Sequence, residues 1–275
     1  MKLSVVIPTI GDRNLFPTLL SLNNSSIEIN EIIISAPIKN KLNSIELQKI
    51  RNLKIHISKF KGQVLQRIEG FKIAKGDYIL QLDDDIILNK NCIRLLFDEL
   101  KNLPNASISP NVFLSENKNS IFSKKDSLKQ KIFNLISGLK LYNREGRITI
   151  SGFESYPEIS SNSDLLTETE WLIGGCVLHH KKNLILNNYF NFSGKAYCED
   201  LFHSLELRKN KIKLFIHKKA SIFLDVNENK MDWNTFKKEL FKDLRVRRFL
   251  VLNNKLSSTR MYLVYFFRCI NFFIK

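Results

Sequence analysis

Short apolar runs divided by polar, turn-forming residues organise the first third of the chain. Residues 3–8, 31–36, 53–57 and 78–82 each have a strand's length and end at Pro, Gly, Asn or Asp. Between them the apolar spacing turns helical. Leu15, Leu19 and Leu22 share one side behind a candidate cap, Asp12, and Val64, Ile68, Phe71 and Ala74 share the inner side of residues 62–75. Asn43 followed by Glu46 predicts another capped helix start. This alternation predicts an α/β fold, a mostly parallel sheet wound with helices, whose ligands lie at the strands' carboxyl ends. Thr9, Ser35 and Asp83 fall at such ends.

Further on, residues 89–103 predict a helix packed by Ile93, Leu96 and Leu100, and 108–114 a strand. Residues 115–163 are polar and irregular around an amphipathic piece at 128–141, which suits a loop or lid that orders on binding. Residues 211–216 and 220–226 predict two closing strands. His179, His180 and His217 lack partners at metal-ligand spacing, and a solvated surface position is expected for each.

From residue 231 onward the character changes: ten Lys or Arg stand against three Asp or Glu, and the chain ends MYLVYFFRCINFFIK. Arg268 and Asn271 interrupt that apolar run, leaving it short of the ~20 residues a spanning helix needs. Lys237, Lys238, Lys242, Arg245, Arg247 and Arg248 followed by Phe266, Phe267, Phe272 and Phe273 read as a basic, aromatic tail lying on an anionic membrane. A tail folded back on the preceding domain, burying its aromatics there, is the alternative.

The net charge of +16 favours anionic partners, and its even spread, without a nucleic-acid-binding motif, directs it to phosphates and lipid headgroups rather than nucleic acid. Four cysteines without CxxC pairing, and no secretory leader, imply a cytoplasmic protein, peripheral at most on the inner face of the membrane.

The chemistry concentrates where the run ending at Leu82 meets Asp83, Asp84 and Asp85 before Ile86, Ile87 and Leu88 resume. Strand alternation would point Asp83 and Asp85 one way and Asp84 the other. Two adjacent carboxylates make a hard oxygen site suited to Mn²⁺ or Mg²⁺ with substrate phosphates completing the shell. Later, Glu199 and Asp200 open a predicted helix, where acids are also ordinary caps.

The motif LDDD, preceded by Gln66–Gly70 (QRIEG) and AKG at 74–76, with LSVVIPTIGDR at the start and CED at 198–200, resembles the family 2 glycosyltransferases of GT-A fold and their DxD region. The resemblance covers roughly residues 1–226. It implies a metal-dependent, inverting transfer of a single sugar from a nucleotide sugar, a UDP-sugar first, to a surface glycan or lipid-linked acceptor. Residues 1–228 would form the catalytic domain, with 1–114 the donor half and 115–228 the acceptor half, and 229–275 a helical tail. Thr9, Arg13, Ser35, Arg67, Asp83 and Asp84 would hold the donor, Asp83 and Asp85 the metal, and Asp200 would be the catalytic base. Trp171, Gly174, Gly175 and Glu199 would lie on the acceptor side, although Trp171 equally suits a core. Family members often place a metal-binding His late in the last strand; Asp225 is the nearest candidate here, His217 the other. Two positions depart from the pattern: Ser35 replaces an Asp and Ile68 an Asn. The rivals are a nucleotidyltransferase, which would need a Gly-rich, basic first loop where PTIGDRN has one Gly, and a non-catalytic glycan- or membrane-binding module.

Overall fold

In the computed structural model, residues 2–37, 47, 49–116, 118–123, 127–140, 145–160, 162–224 and 232–274 are described. The helix start at Asn43 and Glu46, and Asp225, lie outside them. Strands β1 (Leu3–Pro8), β2 (Glu31–Ala36), β3 (Leu53–Ile57) and β4 (Tyr78–Leu82) pair in parallel in the order β3-β2-β1-β4. Every residue of β1 and β2 is buried, because helices cover both faces; that is why these strands read as continuous apolar runs. Helix α1 (Phe16–Asn23) follows β1, and α2 (Gln63–Ile73) precedes β4. Gly70 lets α2 close on β1: a methyl group there would lie 2.4 Å from Val6 Cγ1. Asp12 does not cap α1. Leu15 takes the cap position and Asn14 Oδ1 accepts from the Phe16 N–H, so the helix starts past the reach of Asp12.

The sheet continues through β8 (Cys176–His180), β6 (Ala106–Leu114), β9 (Lys213–Leu224) and β5 (Ile86–Leu88), with β7 (Leu166–Thr169) also on β9. Strands β5, β7 and β8 run against the other six. The two closing strands expected at 211–216 and 220–226 are one strand, β9, with a bulge. Its register against β6 jumps from Pro110–His217 to Asn111–Ser221, and the extra residues fold over His217, whose Nδ1 accepts the Lys219 and Ala220 N–H groups. His217 is therefore buried, not solvated. His179 is buried as well, because β8 is an interior strand; its Nδ1 pairs with Ser107 Oγ at 2.8 Å and its ring meets His203. His180 is half-buried and directs Nε2 at the carbonyls of Leu100 and Leu103, behind α3 (Cys92–Leu100).

A second core forms around α4 (Leu128–Ser137), α5 (Glu199–Lys209), α6 (Trp233–Asn253) and α7 (Ser258–Phe273). The tail helices turn Leu240, Val246, Leu250, Val251, Met261, Val264 and Tyr265 inward against Phe153, Trp171, Leu201 and Phe202. Asp243 is buried between them and accepts from Tyr265 Oη (2.9 Å), Arg268 (2.7 Å) and Arg247 (3.3 Å). Arg247, expected among the surface cations, is buried: it donates to Gly152 O at 2.6 Å and lies 3.9 Å over the Phe153 ring. Phe272 is likewise drawn from the tail's surface, stacked on Phe236. No described helix is long and apolar enough to cross a membrane.

Candidate active site

The carboxyl ends of β1 and β2 are held together by one side chain. Gln66, buried on α2, donates through Nε2 to Thr9 O (2.6 Å) and Ser35 O (2.8 Å) while its Oε1 accepts the Gly62 N–H. Ser35 Oγ is buried with no partner among the described residues.

The three aspartates divide differently from the strand-alternation expectation. Strand β4 ends at Leu82, so 84 and 85 form a turn and alternation no longer applies. Asp84 accepts from Thr9 Oγ1, and its own carbonyl from Thr18 Oγ1 at 3.1 Å. Arg13 spans Asp84 and Asp85. Asp83 turns toward α2, accepting from Gln63 Nε2 (2.8 Å) and Arg67 (3.1 Å).

Arg67 joins the two halves of the molecule. From α2 it reaches Asp83 and, at 2.8 Å, Glu199 in the first turn of α5; Tyr189 also donates to Glu199. Burial opposes the charge on Arg67, but Glu199, Tyr189, Asp83 and Asp200 together hold it protonated more firmly than an ordinary arginine. Burial pushes the Asp83 carboxyl up to about 6, against the pull of Arg67 and with a push from Glu199. Asp200 rises well above the carboxylate range by burial and by its neighbours Glu199 and Asp83, opposed by the Gly174 N–H and Arg67. One cation thus serves three crowded acids.

Gly174 and Gly175 form the wall between these acids. Asp83 N donates to Gly175 O at 2.8 Å, and Gln81 Nε2 holds Gly174 O. A methyl group on Gly174 would stand 2.7 Å from Asp200 Oδ1 and 3.3 Å from Glu199 Oε2. Cys198, just ahead of these acids, takes a left-handed backbone (φ 43°), sparsely populated for such a residue and often found beside functional groups. Trp171 sits in the second core with its indole N–H donated to Ser155 O at 2.9 Å. Gln63, Gln66 and Tyr189 escaped the sequence reading. Gln66 stood in the QRIEG motif without a role of its own, and nothing local marks Gln63 or Tyr189.

The sequence model of Glycosyl transferase family 2 matches residues 4–156, more than half the chain. The chain belongs to that family. No curated protein matches it by sequence. Among solved structures, GalNAc-T7 crystallised with UDP, GalNAc and Mn²⁺ is similar at TM-score 0.63 and 14% identity; the match covers 82% of this chain and 43% of that one. TarS 1–349 of S. aureus is similar at TM-score 0.55 and 14% identity over 96% of this chain and 69% of that one, and its UDP complex at 0.55 and 13% over 96% and 70%. These likenesses establish the fold, GT-A, and the chain spans less than half the length of GalNAc-T7.

The donor set can be tested for an ion on its own chemistry. Among the described residues no group of three or more His, Cys, Asp or Glu could hold a metal. Asp83 and Asp85 are hard carboxylates of the kind Mn²⁺ or Mg²⁺ takes, but each is paired with a different arginine, Arg67 and Arg13, so by themselves they amount to two ligands at most of a shell that donor phosphates and water would have to complete.

Proposed function

We propose that this enzyme transfers one sugar, with inversion and with Mn²⁺ or Mg²⁺, from a UDP-sugar to a surface glycan or lipid-linked acceptor. The observation that carries the reading is the Gly174–Gly175 wall, which has the Asp83 amide on one side and the Asp200 carboxyl on the other. Residues 1–114 are read as the donor half and 115–228 as the acceptor half, with 229–275 the helical tail. Thr9, Arg13, Ser35, Arg67 and Asp84 orient the nucleotide; Gly174, Gly175 and Glu199 border the acceptor, while Trp171 takes the core role that was its alternative. Asp83 and Asp85 would hold the ion, which supplies positive charge against the departing diphosphate. Asp200 takes the acceptor hydroxyl's proton as that oxygen bonds to the sugar's anomeric carbon; the bond to the diphosphate breaks, and its electron pair leaves with the nucleotide. A raised pKa suits Asp200 to accept a proton. The four cysteines are all free, in keeping with a cytoplasmic site of action.

The test is Asp200→Asn against a panel of nucleotide sugars. Transfer should fall by ~10²–10⁴ while thermal stabilisation by donor persists. Wild-type turnover in that variant would leave Asp200 a helix cap and the mechanism without its base.

A further inference from the structure

The outward faces of α4 and α7 are apolar where a surface helix is ordinarily polar. On α7 the exposed stripe runs Tyr262, Leu263, Phe266, Ile270, Phe273 and Ile274, a helical period opposite the buried Met261, Val264 and Tyr265. Phe266 and Phe273 are 65% and 69% exposed. On α4, Leu128, Ile132 and Leu135 repeat the pattern, Leu128 at 74% and Leu135 at 60%. The two helices are neighbours: Arg260 at the start of α7 donates to the Leu135 and Ile136 carbonyls at 3.0 Å each. Together they present a patch of a kind that marks a binding surface.

Charge selects the occupant. Neither α4 nor α7 contains an Asp or Glu, while both carry Lys or Arg. On the other flank of α7, packed through Trp233, Phe236, Phe272 and Phe273, α6 exposes Lys237, Lys238, Lys242, Arg245 and Arg248. A second copy docked face to face would set cations on cations; an anionic lipid surface meets the same patch with opposite charge and an apolar interior. We infer that the α4–α7 face, flanked by the basic side of α6, seats the enzyme peripherally on an anionic membrane. The transfer reading is independent of this, since vesicle binding needs no donor.

The full chain should cosediment with vesicles of phosphatidylcholine mixed with phosphatidylglycerol, not with phosphatidylcholine alone, and salt should weaken the association. The variant Leu263→Ser/Phe266→Ser/Ile270→Ser changes side chains 38–65% exposed that lie outside the second core, so its circular dichroism should match wild type and its melting stay close to it while its vesicle affinity falls by at least about tenfold. A second variant, Lys237→Gln/Lys238→Gln/Arg245→Gln/Arg248→Gln, leaves the apolar face intact and should lose about fivefold in affinity per charge at low salt. The inference is overturned if wild type ignores the anionic vesicles, or if the folded serine variant binds them undiminished. It is also overturned if sedimentation velocity shows a dimer that the serine variant dissolves while wild type stays off vesicles.

Discussion

Replacing Arg67 by Met keeps an unbranched apolar stem and removes the one cation shared by Asp83, Glu199 and Asp200. The Arg67 side chain is 1% exposed and its guanidinium stands 2.8 Å from Glu199 and 3.1 Å from Asp83. Asp83 already titrates at about 6 with the arginine present. Without it, at pH 7, the cluster must either hold uncompensated charge or bind protons at about 1.4 kcal/mol for each unit the pKa rises. Breaking a buried pair by deleting one partner costs about 3–5 kcal/mol. The lower end applies here, because Tyr189 still donates to Glu199 and Gln63 to Asp83. Urea unfolding at pH 7, read at constant slope, should therefore show a loss of about 3 kcal/mol. Adding Glu199→Gln to Arg67→Met should return about 1–3 kcal/mol, since the two groups interact directly. A single variant within about 1 kcal/mol of wild type, or a double variant whose losses simply add, would refute this account of the centre.

Three further outcomes follow from the geometry. Burial holds His203 down at about 3 and His217 at about 4, so between there and the ordinary 6.5 the unfolded chain binds protons the folded chain refuses. Each histidine should cost about 2 kcal/mol of stability on acidification from pH 7 to pH 5, while Asp83 and Asp200, raised by burial, take up protons in the folded state and work the other way; His203→Gln should therefore lessen the acid destabilisation by about 2 kcal/mol relative to wild type, and an unchanged pH slope would exclude it. Gly174→Ala places a methyl group 2.7 Å from Asp200 Oδ1; transfer should drop ~10²-fold with donor affinity kept, and unchanged kcat would mean Asp200 is not where the reaction occurs. Asp85→Ala, at a side chain 45% exposed, should leave the melting temperature near wild type and abolish metal-dependent donor binding, whereas donor affinity undiminished by chelator would remove the ion from the proposal.

The first four strands were legible because they are short, mostly buried and punctuated by turns, so a local pattern carries nearly their whole description. The carboxyl-end placement of Thr9, Ser35 and Asp83 follows from the same pattern. What the sequence hides is long-range. Arg67 and Glu199 lie 132 residues apart, and nothing local distinguishes that arginine from a solvated one. His179 reads as surface until Ser107 of the neighbouring strand supplies its partner. Strand β7, four residues reading LTET, has neither length nor apolar content and exists by pairing with β9. Helix α6 gave an ambiguous signal, since a basic amphipathic helix looks the same whether its apolar side meets lipid or a protein core.

That ambiguity resolves in both directions at once. The inner sides of α6 and α7 close the second core, and α6 backs α5 directly: Phe249 stacks on Phe202, two residues after Asp200. Arg247 ties the same helix to the Gly152 carbonyl, where a methyl group would sit 2.4 Å from Val251, so the fit admits no extra carbon. The helix carrying the proposed base is therefore braced by the same segment whose outer surface is basic, and that segment packs against α7 with its apolar stripe. A detachable anchor would let catalysis and membrane contact be separated by truncation. Here removing residues 232–274 would strip one wall from the core behind Asp200, so loss of activity in such a variant would say nothing about lipid. Only changes confined to the exposed stripe can separate the two roles, because only those side chains leave the packing behind α5 untouched.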